Sequence, residues 1–332
     1  MKHYLVTGGT GFIGAAVVKK LVDAGHKVRI LDDNSRGRTH RIADVLNKTE
    51  MIEGDVRKAS DVSRACEGVD GVIHLAFVNG TEYFYTKPEL VLDVGVKGMV
   101  NVLDACVAQG IKELVLASSS EVYQVPPRVP TDENVPLCIP DPLNPRYSYA
   151  AGKMISEIMA INYGRKFFDR VLIFRPHNVF GPDMGWEHVV PQFALRMARL
   201  AKASGGPLKF PIQGSGTETR SFIYIDDFAD GFMRILEKGE HLGIYHIGTE
   251  EEVSIRELAL MVAASAGREI ELVPGPLQVG GTPRRCPDIG KLSALGFKPQ
   301  LKLKESLPLA VKWYLEHEAQ APTQEKKNEA RP

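Results

Sequence analysis

Charge of one sign is what this sequence most clearly lacks: lysine plus arginine number 41, and aspartate plus glutamate also number 41. That balance leaves no whole-molecule field to gather nucleic acid or an anionic membrane, although a local basic pocket for one phosphate-bearing ligand stays open. Cysteine is scarce as well. Cys66, Cys106, Cys138 and Cys286 are scattered, with neither the short pairing of a metal site nor the density of a disulfide framework, and they read as reduced thiols. No apolar run approaches the roughly 20 residues that a bilayer-spanning helix needs. The chain starts almost directly with apolar Tyr4-Leu5-Val6, so no signal peptide is expected ahead of the fold and a cytoplasmic location is expected by default. What remains is ordinary for a globular protein with a large core: 332 residues, 44% hydrophobic and 25% charged.

The first half alternates short apolar runs, at residues 4–7, 28–31, 71–75, 114–118 and 171–174, with helical stretches at 11–24, 97–109 and 148–163. Alternation of this kind predicts βαβ units and a parallel sheet covered on both faces, with strands that are apolar throughout. The expected class is therefore α/β, a doubly wound Rossmann-type sheet with a smaller C-terminal α/β domain. Residues 1–176 are expected to form the dinucleotide-binding domain, with a later segment near 221–248 returning to it. Residues 177–318 are expected mainly to bind substrate. There, prolines and glycines cluster (Gly181-Pro182, Gly205-Gly206-Pro207, Pro274-Gly275-Pro276, Gly280-Gly281-Thr282-Pro283) between helical stretches at 189–202, 226–238, 254–266 and 304–318. The polar stretch 319–332 has no periodicity and is expected to be disordered.

Gly8-Gly9-Thr10-Gly11-Phe12-Ile13-Gly14 leaves the first strand and opens the first helix. Gly8 suits a sharp turn, Gly11 lets backbone approach a pyrophosphate, and Gly14 permits close helix–strand packing. The helix amino terminus then offers free N–H groups to phosphate. Asp32 ends the next strand 18 residues after Gly14. A carboxylate there accepts ribose hydroxyls and repels a 2′-phosphate, which favours NAD over NADP. Arg36 and Arg38 follow closely and keep NADP open.

Tyr149 and Lys153 stand four apart on an expected helix and so share a face. A cation beside the phenol favours the phenolate, which makes Tyr149 a candidate base on a sugar hydroxyl and later an acid. Ser119, at a strand end, can hydrogen-bond the same hydroxyl. The bland alternative is an exposed tyrosine beside a solvated lysine. No metal site is expected, because His74, His177 and His188 show no ligand spacing with acids or cysteines.

With these residues, the sequence resembles the extended short-chain dehydrogenase/reductase family, the nucleotide-sugar epimerases and dehydratases, to about residue 315. The resemblance rests on the glycine run, Asp32, Gly54-Asp55-Val56, His74-Leu75-Ala76, Ser118-Ser119-Ser120-Glu121-Val122-Tyr123 and Tyr149 to Lys153. It rests also on Arg175-Pro176-His177-Asn178-Val179-Phe180-Gly181-Pro182 and Arg220-Ser221-Phe222-Ile223-Tyr224-Ile225-Asp226-Asp227. It implies that Gly8, Gly11, Phe12, Ile13, Gly14, Asp32, Asp55, Val56, Leu75, Ala76, Tyr149 and Lys153 bind NAD, with Asp55 reaching the adenine. It implies that Ser119, Ser120, Asn178, Arg220 and Arg285 contact a nucleotide-diphosphate sugar, each arginine having a surface salt bridge as its plainer alternative. It implies a homodimer through the helices near 97–109 and 148–163. Two departures stand out: the family usually has a small residue where Phe77 stands, and often asparagine where Gly95 stands.

The shared first step of the family oxidises sugar C4. Return of the hydride to the other face makes a 4-epimerase; loss of water from C6 makes a dehydratase; loss of a C6 carboxylate makes a decarboxylase. Glu121, two residues past Ser119 and on the same side of an extended segment, favours the last two, because simple 4-epimerases need no acid there. Yet Ser120 occupies the position of the dehydratase aspartate, and Glu121 can instead cap a turn or pair with an arginine. The sequence favours an epimerase, with a dehydratase or decarboxylase that uses Ser119, Glu121, Tyr149 and Lys153 as the alternative. Outside that class stand an NADPH-dependent keto-sugar reductase and a non-catalytic NAD-binding regulator.

Overall fold

Residues 1–203, 208–276 and 281–322 are described by the computed structural model. Seven parallel strands form its central sheet: β1 (His3–Thr7), β2 (Lys27–Asp32), β3 (Thr49–Glu53), β4 (Gly71–His74), β5 (Glu113–Ala117), β6 (Arg170–Pro176) and β7 (Gly243–Ile247). They lie side by side as β7-β6-β5-β4-β1-β2-β3. The chain thus runs outward from β1 to β3, then restarts at β4 on the other side of β1. At such a reversal the loops leaving neighbouring strands diverge and open a crevice. Register sets Thr7 level with both Leu31 and His74, so β1, β2 and β4 end on one edge.

Apolar strands put alternate side chains into opposite layers. Tyr4, Val6, Ile30 and Phe174 face one core, together with Phe228 and Phe232 of the Ile225–Lys238 helix. Leu5, Leu31, Val72, Leu114 and Ile173 face the other. Every residue of β4 and β5 is buried. The helices following these strands are Phe12–Asp23, Gly98–Gln109 and Ser148–Phe167, close to the expected spans.

The structure adds elements with weak sequence signals. β3 is a half-exposed edge strand whose sequence, Thr-Glu-Met-Ile-Glu, lacks a continuous apolar run. Between β4 and the Gly98–Gln109 helix, the chain forms helices Thr81–Thr86 and Pro88–Leu92 and a π-helical turn, Asp93–Lys97. Past β6, the strands Thr219–Ser221, Glu252–Ser254 and Arg284–Arg285 form a small sheet, and Leu208–Ile212 pairs with Ile270–Pro274. The Ile225–Lys238 helix and β7 return to the main sheet beside β6.

The expectation of disorder over 319–332 needs correction at its start. Ala319 and Gln320 belong to a 3₁₀ turn, Glu318–Gln320, beside the Lys202–Glu318 ion pair at 2.7 Å. One such turn needs no apolar period, so the sequence pattern does not reveal it. The rest of that expectation from residue 323, and the proline–glycine clusters at 205–207 and 280, fall outside the described residues. Among the described residues no helix is long and apolar enough to cross a membrane.

Candidate active site

A cavity of about 400 Å³ opens at the carboxyl ends of the strands around β1. The glycine turn forms its floor. Gly8 has φ +73°, and a Cβ there would lie 2.9 Å from the Ala76 backbone. A Cβ on Gly14 would lie 2.1 Å from the Gly8 carbonyl oxygen. Only glycine leaves this backbone open at the start of a helix, where N–H groups point outward and suit phosphate.

Asp32 is buried at the end of β2, where its carboxylate accepts from the backbone N–H groups of Thr10 at 2.9 Å and Asn34 at 3.0 Å. These bonds aim the carboxylate along the cleft wall. Asp55 is locked by Arg57, whose Nη2 lies 2.6 Å from Oδ2. Burial alone would raise the Asp55 carboxyl, but the Arg57 side chain and N–H outweigh it and hold it below its usual range. Across the mouth, Arg41 Nε and Nη2 grip Asp183 at 2.8 and 3.0 Å, tying the segment after β2 to the segment after β6.

Ser119, Ser120, Glu121, Tyr149, Lys153, Asn178 and Arg285 line this same cleft beside Gly8, Gly11, Phe12, Ile13, Gly14, Asp32, Asp55, Val56, Leu75 and Ala76. Tyr149 and Lys153 are neighbours on the Ser148–Phe167 helix, but the expected phenolate-stabilising arrangement needs correction. Lys153 Nζ donates to the Ala117 carbonyl at 2.6 Å and stands 5.8 Å from the Tyr149 ring centroid. Burial raises the Tyr149 phenol; the Ser119 hydroxyl pulls it down and the Glu121 charge pushes it up. Burial likewise brings the Lys153 ammonium down to about 7, against the pull of Glu157 one turn along the helix. A buried group resists charge of either sign, and here that effect exceeds the influence of neighbours. The Phe77 ring packs beside both, with Lys153 Nζ 4.0 Å from its centroid.

Glu121 also departs from expectation. Ser119 is extended, but Ser120–Tyr123 is a 3₁₀ turn, and the Ser119 hydroxyl caps it by accepting from the Glu121 N–H at 3.2 Å. Arg285 Nη1 donates to Glu121 Oε1 at 2.6 Å, and its Nη2 donates to Thr282 at 2.9 Å. Burial would raise the Glu121 carboxyl; the charges of Arg285, then Arg146 and Arg220, hold it below its usual range. Arg220 does not line the cleft. It sits level with Arg285 on the adjacent strand and donates back to the Thr219 carbonyl at 2.7 Å. Burial, with the Arg285 charge next, brings the Arg220 guanidinium down to about 10. Asn178 holds φ +36° and donates to the Ser221 carbonyl at 2.8 Å.

Two contributors lack a local sequence signal. Arg146, in the turn Pro145–Tyr147, adds a third guanidinium near Glu121, and its Nε is buried without a hydrogen-bond partner. Behind the site, Glu157 accepts from Ser118 and pairs with Arg175 at 2.6 Å, and Arg175 also bonds the Tyr123 hydroxyl. The spacing of Glu157, four residues after Lys153, was the only available hint. His74 is structural at the end of β4, with Nδ1 2.8 Å from the Thr7 hydroxyl. Burial, then the Lys153 charge, brings it down to about 3. Among the described residues no group of His, Cys, Asp or Glu is placed to hold a metal ion.

Residues 4–248 match the model of the NAD-dependent epimerase/dehydratase family. The chain belongs to that family. It is an enzyme, and the family's cofactor, NAD, fits the glycine cradle that a Cβ at Gly8 or Gly14 would obstruct. A dTDP-4-dehydro-6-deoxy-D-allose reductase of a Streptomyces species is 32% identical, across 94% of this chain and 96% of the relative. A UDP-glucose 4-epimerase of Mycolicibacterium smegmatis is 32% identical, across 93% and 97%. The dTDP-glucose 4,6-dehydratase of Streptomyces venezuelae, solved with NAD bound, superposes with a TM-score of 0.84 at 29% identity, across 96% of this chain and 98% of that one. Family members with three different outcomes are thus similar to this one at nearly equal identity.

Proposed function

We propose that the protein is an NAD-dependent nucleotide-sugar epimerase that works through a transient 4-keto sugar. One observation carries this: the cleft-lining carboxylate nearest Tyr149 is engaged by Arg285, and Ser120 stands beside it instead of a second acid. A 4,6-dehydratase must remove a C5 proton and protonate the leaving hydroxyl, work for carboxyl groups free to exchange protons. A carboxylate held ionised by guanidinium groups is poorly suited to donating one.

In this reading the Gly8–Gly14 turn receives the pyrophosphate of NAD, Asp32 its adenosine ribose and Asp55 its adenine edge. When bound, NAD supplies the hydride acceptor and a positive charge near the phenol. Tyr149 Oη takes the proton of the C4 hydroxyl and later returns it, while the Ser119 hydroxyl holds the same oxygen. Lys153, held by the Ala117 carbonyl, supplies a cation on the same wall of the cleft without touching the phenol. Arg285, backed by Arg220 and Arg146, and Asn178 face the substrate's diphosphate, an anion that offsets a guanidinium excess over Glu121.

The dehydratase or decarboxylase alternative retains one supporting observation, namely that Glu121 shares the cleft with Tyr149. Mass spectrometry of the purified protein with UDP-, GDP-, CDP- and dTDP-sugars separates the outcomes. Unchanged mass with a new retention time supports the epimerase; loss of water or of carbon dioxide supports the alternatives. Steady absorbance change at the nicotinamide band identifies a net reductase. Glu121→Gln is expected to spare epimerisation, and its abolishing all product would refute the proposal.

A further inference from the structure

Phe77 and Gly95, separate oddities in the sequence, meet in the structure. Gly95 lies in the π-helical turn Asp93–Lys97, and Gly152 lies in the Ser148–Phe167 helix. The Phe77 ring fills the notch they leave: a Cβ on Gly95 would lie 2.1 Å from Phe77 Cζ, and one on Gly152 would lie 3.0 Å from it. The contact at Gly95 would require the ring to move, so its place depends on the bare backbone at residue 95. From the notch the ring touches both cleft residues. Lys153 Nζ is 4.0 Å from its centroid, and the Tyr149 ring meets it edge-on at 5.1 Å and 77°. Phe84 also stacks on Tyr149 at 5.0 Å.

We propose that Phe77 is a positioning residue for the Tyr149–Lys153 pair, seated by the gap at Gly95 and holding the Lys153 ammonium against its ring face. This rests on the reading of that pair as the acid–base machinery. The other groups around the ammonium are few. Glu157 faces it from its own helix, His74 from the end of β4 is neutral, the Ala117 carbonyl accepts from it, and Glu121 lies on the far side near Tyr149. In so dry a setting the ring's quadrupole joins Glu157 and the Ala117 carbonyl in favouring the charged form of Lys153.

The test is NMR titration of the protein without cofactor, with lysine labelled at its ε-carbon and Lys153→Met to assign the signal. Phe77→Leu keeps the space apolar but removes the quadrupole. The Lys153 midpoint is expected to fall by about half to one and a half pH units, and the alkaline limb of turnover to fall with it. An unmoved midpoint overturns the proposal. Seating is tested by melting curves: Gly95→Ala lowers Tm in the parent, but little in a Phe77→Leu background, whose shorter side chain stops short of the notch. Equal losses in both backgrounds also overturn it. Undiminished turnover by Tyr149→Phe would instead refute the acid–base reading, independently of the titration.

Discussion

Replacing Glu157 by Gln tests the polar scaffold behind the cleft through two separate quantities. The side chains of Glu157 and Arg175 are 2% and 3% exposed, with 2.6 Å between their charged atoms. The amide keeps the shape and some of the hydrogen bonding, but leaves the Arg175 guanidinium buried without its counter-charge. Breaking a buried pair this way costs about 3–5 kcal/mol. For a chain of this length the unfolding entropy is about 0.7 kcal/mol per kelvin, so Tm falls by roughly 4–7 °C. The second quantity follows from sign. Glu157 holds the Lys153 ammonium up against burial, so removing its charge moves loss of that proton to lower pH. If turnover needs the ammonium, its alkaline limb moves the same way. Scanning calorimetry and a pH–rate profile measure the two effects. A Tm within about 1 °C of the parent's would refute the stability reasoning. An alkaline limb moving upward would refute the electrostatic reasoning.

Two further changes probe the cleft. Gly14→Ala places a Cβ 2.1 Å from the Gly8 carbonyl oxygen, and is expected to weaken NAD binding about tenfold or more in calorimetric titration while the chain stays folded; unchanged affinity would contradict the cradle. Tyr149→Phe is expected to lower turnover by about 10² to 10⁴ with NAD affinity nearly unchanged, and turnover equal to the parent's would remove the phenol from the chemistry.

The parts legible in the sequence share one property: their signals are local. Gly8 to Gly14 and Asp32 sit within one βαβ unit, and strands buried on both faces, such as β4 and β5, show as plain apolar runs. The parts that were not legible depend on distant partners or on half-exposed backbone. β3 lies at the sheet edge with an interrupted pattern. Arg285 lies 164 positions from Glu121, so their pairing is invisible until the chain folds. Phe77 and Gly95 look like unrelated departures, because nothing in spacing reveals that one fills the room the other leaves. The protonation of Tyr149 and Lys153 depends on dehydration, which their i,i+4 spacing does not encode.

β7 joins the main sheet only after the chain has built part of the small one, and it pairs directly with β6. The two halves therefore cannot be separated by one cut. A fragment ending near residue 176 would bare the edge of β6 and uncover Phe174, which the Ile225–Lys238 helix otherwise covers. Grafting the segments after β6 onto a relative would thus need at least two crossovers, one on each side of the helix and strand that come back.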